Sequence, residues 1–172
     1  NQFAQRGGDL MTRHWNDNTP LHEAARTGDL DVVKWFIGHG VDISATNSVG
    51  EGAVAEAASM GHFEVVWELL RAGAAVGDTG SSLAATLTMA AVRHDKTDLL
   101  DHLQAHGVKV VSTKQHGTAP LLEAVRSGKR LAVDWLLKHG ADATGKSDHD
   151  EHAGHAGDSP LAAAAYSGHF DL

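Results

Sequence analysis

The chain contains no cysteine among its 172 residues, which excludes disulfide bonds, thiolate catalysis and cysteine-based zinc sites. Aromatic residues are scarce at 5 %, whereas small residues are plentiful, with 19 glycines and many alanines. Such a composition suits closely packed helices joined by sharp turns. It does not suit the thick aromatic core of a large α/β enzyme, so we expect no catalytic activity and no cofactor.

Long apolar runs are also missing, because no stretch of about 18 apolar residues occurs, and we therefore expect no membrane insertion. Positive charge is in deficit, with a formal net charge of -8, which argues against nucleic acid as the partner. The acidic balance is compatible with a basic partner and with simple solubility. No secretory signal is visible, and the cytoplasm is the favoured compartment.

What the chain does have is an internal repeat of 33 or 34 residues. The stretch that ends at Gly28 recurs in phase at Gly61, at Asp95 and at Gly128. In each copy an alanine-rich segment precedes this position, and an apolar segment with helical spacing follows it. Each unit therefore predicts a pair of helices, and stacking of neighbouring units would bury their apolar faces.

The first copy contains the segment Thr19-Pro20-Leu21-His22-Glu23-Ala24-Ala25, and this segment together with the period resembles the ankyrin-repeat family. The resemblance covers nearly the whole chain. It implies an all-α fold, an α-solenoid of stacked ankyrin repeats with finger loops between successive helix pairs. It also implies that the His22 ring makes a structural hydrogen bond to neighbouring loops.

The repeat pattern predicts a single ankyrin-repeat domain over residues 1–172, with about four full repeats and a partial repeat at each end. The full repeats are expected at residues 19–51, 52–85, 86–118 and 119–158, after the end of a preceding repeat at 1–18 and before the start of another at 159–172. Neither end carries a polar capping helix, so the chain is expected to be a fragment or to pack its ends on something else.

The third unit departs most from the pattern, because it lacks the proline and has Asp95 in place of the glycine. We expect residues 74–95 to form the most irregular finger and first helix. Among the tryptophans, Trp35 and Trp135 occupy equivalent apolar positions and are expected to pack. Trp67 is one place out of phase and is expected to be exposed on the outer surface.

The family resemblance implies that a partner binds the concave surface made of first helices and fingers. The two residues after each alanine pair are expected on that surface: Arg26-Thr27, Ser59-Met60, Arg93-His94, Arg126-Ser127 and Tyr166-Ser167. From these we select Arg26, Met60, Arg93, Arg126 and Tyr166 as partner-binding residues, since arginine and tyrosine are enriched in interface hot spots. A covering role for the arginine stems is the competing interpretation.

Trp15 joins this set because a tryptophan at a polar finger tip has no obvious core to pack against. Its competing interpretation is packing against residues 1–10 or against a further repeat. The binding surface predicted from the sequence thus combines Trp15 with residues of the first helices.

A glycine-rich insert at residues 145–157 contains His149, His152 and His155 beside three carboxylates. Imidazoles at this spacing could hold Zn²⁺, Ni²⁺ or Cu²⁺. The segment lacks the fixed spacing between rigid elements that structural zinc sites have, and ordering it costs entropy. We therefore expect no bound metal, and regard a solvated loop or a partner contact as the alternatives.

Three functions follow from these patterns. The first is a protein-binding scaffold, either alone or as a module of a larger chain. The second is a stand-alone inhibitor or antitoxin-like immunity protein that masks a target. The third is a metal-responsive adaptor that uses the histidine insert. Catalysis is not expected, because Gly145-Lys146-Ser147 lacks the preceding glycine that a phosphate-binding loop requires.

Overall fold

The computed structural model of the chain describes residues 15–79, 81–112 and 120–143. The chain divides into two compact units, Asn1–Ala75 and Val76–Leu172. The described residues are all helical apart from turns and one isolated β-bridge between Thr46 and Gly52. The all-α fold of stacked ankyrin repeats is confirmed, whereas the organisation as a single domain stays a prediction.

The first unit contains two helix pairs. Helices α1 (Pro20–Thr27) and α2 (Leu30–Gly38) form one pair, and α3 (Ala53–Ser59) and α4 (Phe63–Arg71) form the next. The first helices, α1 and α3, pack on each other, as do the second helices, α2 and α4.

The second unit repeats this arrangement with α5 (Ser82–Arg93), α6 (Thr97–Ala105), α7 (Pro120–Arg126) and α8 (Arg130–Lys138). Helix α5 packs on α7, and α6 packs on α8. A short 3-10 turn, Val110–Ser112, packs on α6.

The start of α1 shows how the repeat motif produces local structure. Thr19 has an extended backbone, and Pro20 follows at the first helical position, where a missing N–H costs nothing. The backbone N–H of Thr19 donates to Nδ1 of His22 at 3.2 Å, so the ring proton lies on Nε2, which donates to the carbonyl of Glu51 at 3.0 Å. His22 is almost fully buried, and its expected structural hydrogen bond is confirmed.

The turn after each first helix requires a left-handed residue. Gly28, Gly61 and Gly128 have φ values of 76°, 80° and 63°, and Asp95 adopts φ 57° at the equivalent position of the third pair. At Gly28 the space is also occupied, because an added Cβ would strike the ring of His62. Glycine is thus required there twice, once by conformation and once by the neighbouring ring.

The core is built from small residues on the first helices and larger aliphatic residues on the second. The residues at the alanine-pair position are buried in all four described first helices: Ala24-Ala25, Ala57-Ala58, Ala91-Val92 and Ala124-Val125. Opposite them lie fully buried side chains such as Val33, Leu69, Leu100 and Leu136. Small side chains let the first helices approach closely, which explains why the sequence uses so few aromatic residues.

Three of the second helices end in a histidine that hydrogen-bonds the carbonyl four residues earlier. Nδ1 of His39, His106 and His139 lies 2.7, 2.8 and 2.7 Å from the oxygens of Trp35, His102 and Trp135. The rings of His39 and His139 also stack on those tryptophans, with centroids 3.9 and 3.8 Å apart. Each ring therefore adds a second hydrogen bond to a helix-end carbonyl that also accepts from the backbone N–H of the same histidine.

The first helix of the third unit differs from the other described first helices. Helix α5 crosses the expected boundary between residues 85 and 86, and at twelve residues it is longer than the other described first helices. The side chain of Ser81 accepts from the N–H of Ala84 and caps the helix one turn earlier than the period predicts. A first helix can thus begin without proline when a serine side chain caps its first turn.

The tryptophans only partly follow expectation. Trp135 is buried and Trp35 is half-buried, as expected for packed positions. Trp67 is also half-buried rather than exposed, so its predicted position on the outer surface is wrong. Helix α4, which carries Trp67, packs on both α2 and α3.

Candidate functional site

The two positions that follow each alanine pair are exposed in every helix pair that the structure describes: Arg26-Thr27, Ser59-Met60, Arg93-His94 and Arg126-Ser127. They lie at the carboxyl ends of the first helices, directly before the left-handed turn. Met60 is 53 % exposed, which is unusual for a large apolar side chain. The same register thus buries one pair of residues and presents the next pair to solvent.

In the first unit, Arg26 is held by its own helix. Its Nε and Nη2 both donate to Oε2 of Glu23, at 3.1 and 2.8 Å. The carboxylate raises the pKa of the Arg26 guanidinium, first through this hydrogen bond and then through its charge. Both side chains are well exposed, so this pair adds little stability.

The surroundings of Arg26 are acidic. Burial raises the pKa of the Glu56 carboxyl, and the charge of Glu51 raises it further, while His22 and Arg26 act in the opposite direction. Glu56 also accepts a long hydrogen bond of 3.4 Å from Nδ2 of Asn47. The first-helix surface of the first unit therefore combines one guanidinium with three carboxylates, those of Glu23, Glu51 and Glu56.

In the second unit, Arg93 reaches across to the neighbouring first helix. Its Nε donates to Oε1 of Glu123 on α7 at 2.9 Å, and the Arg93 side chain remains 60 % exposed. Arg126 ends α7 and is exposed. The structure thus brings two of the predicted binding residues onto adjacent, packed helices.

The turn after α5 adds further charge to this surface. Burial lowers the pKa of His94, and the nearby charges of Lys129, Lys96 and Arg93 lower it further. The carboxylate of Asp95 accepts a hydrogen bond from the backbone N–H of Ala132 at 2.7 Å, so this turn lies against the first turn of α8. The sequence position that replaces glycine therefore caps the next repeat's second helix.

The finger between the first two helix pairs is built around Asn47. This side chain is buried, and its Oδ1 accepts from the backbone N–H groups of Val49 and Glu51 at 3.1 and 2.9 Å. Gly50 supplies the left-handed residue of the turn. Val49 is left 68 % exposed, so the finger presents an apolar side chain to solvent.

Several predicted site residues lie outside the described part of the chain. Tyr166 and the histidines His149, His152 and His155 belong to residues 144–172, and the side chain of Trp15 is likewise not described. Within the described ranges no group of three or more metal-ligating side chains is placed to hold an ion. No described helix is both long enough and apolar enough to cross a membrane.

An open cavity of about 320 Å³ lies between the loop after α6 and helix α8. Its lining includes Val108, Val110, Trp135 and His139. None of the predicted binding residues lines this cavity. It therefore belongs to the second-helix side of the unit and does not contribute to the first-helix surface.

Sequence reasoning missed the groups that surround the predicted arginines. The spacing of three residues between Glu23 and Arg26 was a visible signal for an ion pair within one helix. The pairing of Arg93 with Glu123, which are 30 residues apart, had no such local signal. The role of Asp95 was equally hidden, because its partner is a backbone group of another repeat.

The family described as "Ankyrin repeats (3 copies)" matches this chain over residues 2–80, 54–147 and 87–172. These matches together cover nearly the whole sequence. The chain belongs to the ankyrin-repeat family.

Relatives among known proteins are large and varied. The chain is 29 % identical over 133 residues to the potassium channel AKT2/3 of Arabidopsis thaliana, covering 77 % of this chain and 16 % of the channel. It is 28 % identical over 138 residues to an L-asparaginase of Dirofilaria immitis, covering 80 % of this chain and 23 % of that protein. The chain thus spans less than a quarter of the length of either relative.

A solved structure resembles the whole chain. It is a chain in the complex of the predatory endopeptidase Bd0816 from Bdellovibrio bacteriovorus with the immunity protein Bd3460. The TM-score is 0.71 at 27 % sequence identity, and the match covers 98 % of this chain and 84 % of that one.

Proposed function

We propose that this chain is a protein-binding module whose contacts come from the exposed ends of the first helices and the adjoining finger loops. One observation carries the proposal. In all four described helix pairs the residues at the alanine-pair position are buried, and the next two residues are exposed. Because the same two positions are exposed to solvent in successive repeats, their side chains form a continuous surface within each unit.

The side chains at these positions suit a protein partner. Arginine and methionine are enriched in protein interfaces, and both occur here in exposed positions. The surface is a row of helix ends and turns rather than an enclosed pocket, which is the form that small-molecule sites take. The proposal therefore includes no catalytic role, no cofactor and no small-molecule substrate.

A double variant tests this proposal. Arg93→Ala with Arg126→Ala should weaken capture of the partner from a lysate of the source organism by at least about tenfold. Truncation of an interface anchor of this kind typically costs roughly 2 kcal/mol of binding free energy. The variant should keep the wild-type circular dichroism spectrum, since both side chains are exposed.

The matched control is Lys34→Ala with Lys138→Ala, which removes the same charge from exposed positions on second helices. Capture should then be nearly unchanged. If the control pair abolished capture and the arginine pair did not, the partner would bind the second-helix surface, where the cavity beside Trp135 lies.

A second candidate function is inhibition of an enzyme by an immunity protein. The likeness to a chain of the endopeptidase–immunity complex supports it, because that likeness extends over nearly the whole sequence. On this proposal, adding the purified chain to the endopeptidase of that complex should lower peptide hydrolysis in proportion to the amount added. Unchanged hydrolysis at a large excess of the chain would remove this candidate for that enzyme.

The metal-responsive adaptor rests on His149, His152 and His155 alone, and these lie outside the described residues. It stays a prediction of lower rank. Titration of the chain with Zn²⁺, compared with a variant in which the three histidines are replaced by alanine, tests it directly.

A further inference from the structure

The two units differ in charge at structurally equivalent positions. Residues 93–96 and 123–130 of the second unit carry five cations, Arg93, Lys96, Arg126, Lys129 and Arg130, and two carboxylates, Asp95 and Glu123. The equivalent stretches of the first unit, residues 26–29 and 56–63, carry the single cation Arg26 and the carboxylates of Asp29 and Glu56. The two units therefore share the same helix arrangement but carry different charges at equivalent positions.

The five cations of these two stretches lie at one edge of the second unit. The bond from Ala132 N–H to Asp95 holds the turn after α5 against the first turn of α8, where Lys129 and Arg130 lie. Burial lowers the pKa of His94 most, and the charges of Lys129, Lys96 and Arg93 lower it further, so these three cations lie near that ring. We call Arg93, Lys96, Arg126, Lys129 and Arg130 the cationic edge.

The two carboxylates of these stretches offset only part of the charge of the cationic edge, because five cations face two carboxylates. Asp95 is occupied by the backbone of α8, and Glu123 accepts from Arg93. Of the donors of Arg93, only Nε is hydrogen-bonded within the described part of the chain. Arg26 differs, because both its Nε and its Nη2 donate to Glu23.

From this contrast we propose that the cationic edge is the acid-binding part of the interaction surface and that it docks a carboxylate-rich segment of a protein partner. The assignment rests on the proposed binding function and adds the partner's chemistry and the position of its contact. Arg26 of the first unit is given no such role, because it already donates twice to Glu23 and the Glu56 carboxylate also lies near it.

A carboxylate-rich peptide fits this edge better than a nucleic acid does. Guanidinium groups bind carboxylates with two parallel hydrogen bonds, and Arg93, Arg126 and Arg130 offer that geometry. Tight nucleic-acid binding draws on an extended set of phosphate contacts and a basic domain, whereas this chain has a net charge of -8. A short acidic segment needs only a local cluster of cations.

The test measures binding of a fluorescent oligoglutamate peptide to the intact chain at low salt. The variant is Lys96→Asp with Lys129→Gln. Asp29, the equivalent of Lys96, already caps α2 by accepting from the N–H of Val32, so the first substitution copies a working cap of the first unit. Both positions precede a second helix, where removal of positive charge favours the helix, and the variant should fold.

The matched control is Lys34→Glu with Lys138→Gln, which changes the net charge by the same amount on second helices. We expect the edge variant to weaken peptide binding at least about tenfold, equivalent to about 1.4 kcal/mol, and the control to change it less than about twofold. Equal losses in both variants would show that only the net charge matters and would overturn the assignment.

Two further outcomes would also overturn it. One is an absence of oligoglutamate binding to the wild-type chain at low salt. The other is a single-stranded oligonucleotide or phosphatidylserine vesicles binding more tightly than the peptide, with the same loss in the edge variant. The proposed function is judged separately, because capture of the native partner that depends on Arg93 and Arg126 but not on Lys96 and Lys129 would leave it standing.

Discussion

Asp95 occupies the left-handed turn position where the other three described helix pairs have glycine. Substitutions at Asp95 can therefore measure separately the hydrogen bond that its carboxylate makes and the strain of its left-handed backbone. The carboxylate stabilises α8 by accepting from Ala132 N–H at 2.7 Å, a contribution of about 1–2 kcal/mol for a charged cap. The left-handed backbone costs any residue with a Cβ roughly 1 kcal/mol, less for aspartate and asparagine than for alanine.

Three substitutions should therefore rank in a definite order of stability. Asp95→Ala loses the cap and keeps the strain, so it should cost about 2 kcal/mol. Asp95→Gly loses the cap but relieves the strain, so it should cost about 1 kcal/mol or less. Asp95→Asn keeps an acceptor and tolerates the backbone, and its cost should lie near 0.5 kcal/mol.

Equilibrium unfolding in urea, followed by circular dichroism, measures these differences. A loss of 2 kcal/mol would lower the midpoint by about 1 M for a typical slope of 2 kcal/mol per M. The data should be fitted with coupled repeats, because repeat arrays need not unfold in one step. If Asp95→Gly were more stable than the wild type, the hydrogen bond to α8 would contribute less than the strain that glycine relieves, and the reasoning would be refuted.

Four further predictions concern buried or titratable groups. Thr88→Val should stabilise the second unit by about 1 kcal/mol in urea unfolding, because the buried Thr88 hydroxyl has no hydrogen-bond partner in the described structure; a loss of stability would indicate a bound water there. His22→Ala should cost about 2–3 kcal/mol by the same measurement, since it leaves the N–H of Thr19 without a partner and removes one of the two hydrogen bonds to the carbonyl of Glu51, and a cost near zero would contradict these roles of the ring. Trp135→Phe should cost about 1–2 kcal/mol because it removes the 2.7 Å bond from Nε1 to Asp101, whereas the control Trp35→Phe should cost less. Because the pKa of His94 is lowered from its usual value of 6.5, the unfolded chain takes up that proton first, and stability should fall as the pH drops below about 6.5; a His94→Asn variant should show a shallower fall.

The repeat and its helix pairs could be predicted from the sequence because they depend on local patterns. Gly28, Gly61 and Gly128 mark turns that require a positive φ, and the alanine pairs mark helix faces that must lie close to a neighbour. Such signals recur in phase at every unit, so one clear copy identifies the others. The hydrogen bond of His22 was implied by the family resemblance, and its partners Thr19 and Glu51 both lie within the predicted repeat 19–51.

The exposure of Arg26, Met60, Arg93 and Arg126 was predictable too, because helix periodicity decides which positions are buried. The charge environment of each arginine was not. Arg26 and Arg93 occupy the same position of the repeat, yet Arg26 donates twice to Glu23 of its own helix and Arg93 donates to Glu123 of the next repeat.

Tertiary structure alone decided these pairings, together with the capping of α8 by Asp95. Periodicity determines the direction of a side chain relative to its own helix axis, and this much is encoded locally. The identity of the group that lies across the gap depends on how two separate helices are placed against each other. That placement is set by the packed core between them, so the first-helix surface was readable from the sequence while its electrostatics required the folded chain.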